Sequence, residues 1–112
     1  IFVSQIIHSG KKRVLQTAEI FAKDLQPEKG VMETDGLAPL DDVRLIAKAM
    51  SSGENLMAVG HLPFMERMTS YLVTGSAEAP IFKFQNSGIV CLDKNPDSGS
   101  WVIVWTLMPK IG

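Results

Sequence analysis

Residues 2 to 7, FVSQII, form a short apolar run that turns polar at His8-Ser9-Gly10. Such a run predicts a buried strand. The period then changes. Val14, Ala18, Phe21 and Leu25 recur at spacings of three and four, which places them on one side of a helix spanning roughly 11–24. Ser9 is the expected N-cap of that helix. QPEKG, residues 26 to 30, closes the segment with a proline and a glycine, and VMETDGLAP, residues 31 to 39, reads as a short extended piece followed by a loop. Asp41 and Asp42 are expected in the first turn of a second helix, where negative charge suits the positive end of the dipole. Val43, Ile46, Ala47 and Met50 supply its inner face, and it is expected to stop before Gly53.

NLMAVG, residues 55 to 60, is a second apolar strand. His61-Leu62 makes a tight corner, Pro63 suits the first position of a third helix, and Met65, Met68 and Leu72 form that helix's inner face. GSAEAP, residues 75 to 80, is a linker. IFKF and GIVCL are strand-like and separated by Gln85-Asn86-Ser87. NPDSGS, residues 95 to 100, is dense in turn formers, so GIVCLD and WVIVWTLM read as an antiparallel hairpin. Strand, helix, helix, strand, helix and hairpin argue for an α/β fold with helices on both faces of the sheet. Ligands of such sheets bind beyond the carboxyl ends of the parallel strands. Two junctions of that kind occur, His8 to Arg13 and Gly60 to Pro63.

Composition narrows the chemistry. The 112 residues suffice for one domain and are too few for two. Hydrophobic residues make up 46% and charged residues 21%, close to the average for soluble globular proteins. A net charge of -1 predicts no attraction to nucleic acid or acidic membranes. No apolar stretch reaches the length of a membrane span, and no secretory signal is visible, so a cytoplasmic setting is expected. Cys91 is the single cysteine, which excludes a disulfide framework and a cysteine-built zinc site. The first residue is Ile rather than Met, as expected of a piece of a longer chain.

At the first junction, the opening turn of the helix offers backbone N–H groups and a positive dipole end to an anion. Arg13, about one turn in, can fork onto a phosphate or carboxylate. Lys11 and Lys12 read as solvated neighbours. The SGK triplet is not a P-loop, because the required upstream glycine and the Ser or Thr after the lysine are absent. His8 sits at the strand end and reads as a packing residue with one hydrogen bond. At the second junction, Gly60 leaves room for a close approach. His61 can donate to a phosphate or titrate near neutral pH.

SGKKRVLQTAEIF resembles the "Ser, three residues, Arg, two residues, Gln-Thr-Ala" element of the histidine phosphatase superfamily, the phosphoglycerate mutase-like fold. GHLPFM resembles its later "Gly-His-x-Pro" element. LAPLDDV, FQNSGIVCL and WTLMP are similar to stretches of its short SixA-type phosphohistidine phosphatases. The resemblance implies a three-layer α/β/α fold with a mostly parallel mixed sheet. It implies a histidine nucleophile that forms a phosphohistidine intermediate. Arg13 would be the phosphate clamp and His61 a second, catalytic and phosphate-binding histidine, with Ser9 in a supporting role at most. Asp42 matches a position of the "Leu-x-Pro-x-x-Asp" stretch, but a helix-capping role is expected of it. No cofactor or metal is implied. The partner would be a phosphohistidine-bearing protein or a small phosphate ester. The family's Arg-His-Gly element, which carries the nucleophile on the first and central strand, occurs nowhere in this chain. The expectation is therefore an N-terminally truncated single domain over 1–112, lacking that strand and inactive alone. It would belong to a longer chain or pair with a second copy through the gap.

Overall fold

A computed structural model of the chain describes residues 2–51, 55–79, 89–94, 97, 99 and 101–107. Strand β1 (Gln5–His8) is central in a parallel sheet, between β2 (Val31–Glu33) and β3 (Leu56–Val59). Its apolar run is continuous because both faces are covered, as parallel sheets require. Ile6 packs with Val3 and Ala18 on one face, while Ile7 joins Leu37, Val43 and Phe64 on the other. β3 divides the same way, with Met57 and Val59 against the first cluster and Ala58 against the second.

Helix α1 (Lys12–Leu25) buries Val14 and Ala18 and packs Phe21, Ala22 and Leu25 against the first face. α2 (Arg44–Met50) and α3 (Phe64–Thr74) cover the second face through Ile46, Ala47, Phe64, Met68 and Leu72. The result is a three-layer α/β/α arrangement. Strands β4 (Ile89–Lys94) and β5 (Trp101–Leu107) form the expected antiparallel hairpin. Leu92 and Trp101 pack on the α2–α3 core. Among the described residues, however, β3 and β4 share no ladder, so the hairpin is a second, two-stranded sheet. The expected strand at IFKF lies outside the described residues, as do Gly53 and the segment Gln85-Asn86-Ser87.

Three local expectations change. Ser9 is not the N-cap of α1; Lys11 holds that position, with ψ 143° and no side-chain cap. Asp41 and Asp42 precede α2 rather than filling its first turn, because Asp42 folds back on Arg44 and the helix starts there. Pro63 is the N-cap of α3, one position earlier than expected, and the fully buried Phe64 joins Met68 and Leu72 on the inner face.

Candidate functional site

In the sheet register His8 pairs with Val59 on one side and with Glu33 on the other. The carboxyl ends of all three parallel strands therefore lie side by side. Whatever follows them in sequence is delivered to one edge of the sheet: Ser9 to Arg13 after β1, and Gly60-His61 after β3. The Ser9 Oγ lies 2.9 Å from His61 Nε2, a contact between residues 52 positions apart. The two junctions singled out in the sequence thus meet.

Each part of the first junction has a local cause. His8 is 4% exposed, and its Nδ1 accepts the Gly10 N–H at 3.1 Å. It is a packing residue that fixes the turn. Gly10 takes φ +86°, and a Cβ there would lie 2.5 Å from the Glu33 Cδ. The left-handed backbone is what calls for glycine; the exposed end of the Glu33 side chain can swing aside. α1 then opens with an uncapped N-terminus and no acidic residue in its first turn. Lys11, Lys12 and Arg13 are all exposed there. Cations at the positive end of a dipole oppose helix stability, whereas an anion bound there relieves the conflict. The Arg13 backbone carbonyl accepts the Thr17 hydroxyl. Its guanidinium has no hydrogen bond or ion pair among the described residues.

At the second junction His61 is half-buried, and its carbonyl accepts the Met65 N–H at 3.0 Å to start α3. The room at Gly60 is not left for a ligand. A Cβ there would meet Met65 Sδ at 3.1 Å and the Leu37 carbonyl at 3.6 Å. Asp42 takes no part in this cluster. It accepts the Arg44 backbone N–H and, in a bidentate pair, the Arg44 guanidinium. Those bonds lower its carboxyl from 3.8 to about 2. Glu33 was not identified from the sequence. Its place as the last residue of β2, level with His8, is what brings its exposed carboxylate to the site's rim. No cluster of three potential metal ligands occurs among the described residues.

No family model and no curated protein matches the sequence. A solved structure does: the protein histidine phosphatase SixA complexed with tungstate superposes with a TM-score of 0.80 at 22% identity. The match covers 96% of this chain and 69% of that one. The fold is that of the histidine phosphatases. Within this fold the SixA chain has roughly three-tenths of its length with no counterpart here.

Proposed function

We propose that this chain supplies the phosphate-binding half of a histidine-type phosphatase acting on phosphohistidine in a protein partner. The observation that carries the reading is the junction of Ser9 and His61 at the sheet's carboxyl edge, beside an uncapped, cation-bearing helix start. A tetrahedral anion seated over the first turn of α1 would meet backbone N–H groups, the exposed guanidinium of Arg13 and the imidazole of His61. Phosphoryl transfer needs little else from a protein than positioning and stabilisation of charge on the equatorial oxygens.

In this reading a histidine nitrogen attacks phosphorus in line. The substrate's P–N bond breaks, and its imidazole, already protonated on the nitrogen away from phosphorus, leaves as a neutral ring. Water then attacks the new phosphohistidine and releases inorganic phosphate. An imidazole leaves more readily than an alkoxide, so the demand on a proton donor is small. His8 is a poor nucleophile, being buried with Nδ1 engaged by Gly10. The 112 residues contain no Arg-His-Gly, so the nucleophile comes from outside them, from the same gene product or a second chain. The split between β3 and β4 supports a place for that strand. Short connections leave the site open, which suits a protein-borne phosphate.

Arg13→Ala and His61→Ala, made in the protein carrying the nucleophile segment, test this reading. Each should slow phosphohistidine hydrolysis about 100- to 1,000-fold, the usual cost of removing one transition-state donor. Near-normal rates in both variants would remove the site assignment. A second reading, a phosphate-binding module without catalysis, draws on the absence of Arg-His-Gly. It predicts phosphate affinity that depends on Arg13 and His61 but no labelled phosphoenzyme after incubation with a phosphohistidine donor.

A further inference from the structure

We infer that Ser9 is a positioning residue that fixes the tautomer and orientation of His61. The inference rests on the phosphate-site reading above only for its consequence, anion affinity. Its structural part stands on the described bonds.

Ser9 is released from capping α1, since Lys11 holds that position with no side-chain cap. Its hydroxyl instead has two partners. It accepts the Lys11 backbone N–H at 3.4 Å and lies 2.9 Å from His61 Nε2. The turn carrying it is held from behind by the Gly10 N–H bond to the buried His8 ring. The oxygen therefore occupies a defined place, and a hydroxyl that already accepts from an amide has its own proton free to donate. The inferred direction is Lys11 N–H to Ser9 Oγ, then Ser9 O–H to His61 Nε2; the reverse, with His61 Nε2–H donating to a second lone pair of Ser9 Oγ, is the alternative that the tautomer measurement distinguishes. The inferred direction leaves Nε2 unprotonated and puts the proton of a neutral imidazole on Nδ1. Among the described residues Nδ1 has no hydrogen-bond partner, so its N–H is the donor left for an anion. A tautomer is set by the bond that the other ring nitrogen makes. Lining up the donors before the anion arrives spares part of the ordering cost of binding.

The chain has only two histidines, His8 and His61, so nitrogen-15 imidazole spectra can be assigned with one His8→Gln control. In the parent chain above the histidine titration, His61 should show the Nδ1–H form as the main species. Ser9→Ala should shift it towards the Nε2–H form, and Ser9→Thr, which keeps the hydroxyl, should restore the parent pattern. A role in packing alone would not move the tautomer. With inorganic phosphate as probe, Ser9→Ala should weaken binding about fivefold to tenfold, as expected for one lost hydrogen bond. Ser9→Thr should bind within about twofold of the parent, since it keeps that bond. Identical His61 tautomers in parent and Ser9→Ala would overturn the inference. Failure of the parent to bind phosphate, with the tautomer shift intact, would instead overturn the phosphate-site reading and leave the Ser9–His61 link standing.

Discussion

At the residue scale, side chains that break local rules carry most of the information. Lys11, Lys12 and Arg13 sit where a helix gains from acids, and Ser9 gives up the cap it is suited to. Both departures make sense if an anion and a histidine take precedence. Asp42 illustrates the opposite case, a residue whose behaviour is local. Its carboxyl, lowered to about 2 by bonds from Arg44, is ionised in the folded chain at pH values where a free carboxyl begins to protonate. A depressed value means that the pair's contribution is complete above the unfolded value of 3.8, and is lost as pH falls towards about 2. The solvent exposure of both side chains keeps the contribution small. Carbon-detected titration should find the Asp42 midpoint near 2, and Arg44→Ala should return it towards 3.8. An unchanged midpoint in that variant would discard this account of Asp42. Gly10→Ala tests the backbone in the same way. The substitution puts an Ala at a left-handed φ of +86°, and a loss of about 1–2 kcal/mol in denaturant unfolding is expected.

At the element scale, much was legible. The strands at β1 and β3 announced themselves as short apolar runs, and α1 and α3 through recurrences of three and four. These signals depend on burial, which the sequence records directly. Helix starts were read less well, because they depend on where one side chain turns. Asp42 folds onto Arg44, Pro63 takes the cap, and Ser9 reaches across to His61. The meeting of the Ser9 turn with the His61 corner was expected from the shared carboxyl edge of the parallel strands and from the resemblance to the histidine phosphatases. The delivery of Glu33 to the same edge depends on the β1–β2 register, which no local pattern encodes. α3 offers a packing test. Phe64 is fully buried at its start, directly after the His61 corner. Phe64→Ala should cost about 3–5 kcal/mol. It should also blur the His61 resonances, because the helix start that carries His61 would lose its anchor. A loss near zero would show that the core does not hold the site in place.

At the scale of the whole molecule, two sheets share one core without sharing a ladder among the described residues. None of the described helices is long and apolar enough to cross a membrane. We propose that a strand bearing the nucleophile fills the place between β3 and β4. It would come from sequence outside these 112 residues, since they contain no Arg-His-Gly. These 112 residues alone should then hydrolyse phosphoramidate no faster than buffer, while restoring a segment with Arg-His-Gly should switch the reaction on. An enzyme-like rate from the 112 residues alone would show that this reading of the nucleophile is wrong.

The central claim is that Arg13 and His61 flank a single tetrahedral anion. Tungstate, a tetrahedral oxyanion already bound by the SixA structure that shares this fold, allows a direct test. A crystal structure of the protein soaked with tungstate should place the metal oxyanion over the first turn of α1. Its oxygens should lie within hydrogen-bonding distance of the Arg13 guanidinium and the His61 imidazole. Tungstate bound elsewhere, or the two side chains pointing into separate hollows in a well-folded chain, would contradict it.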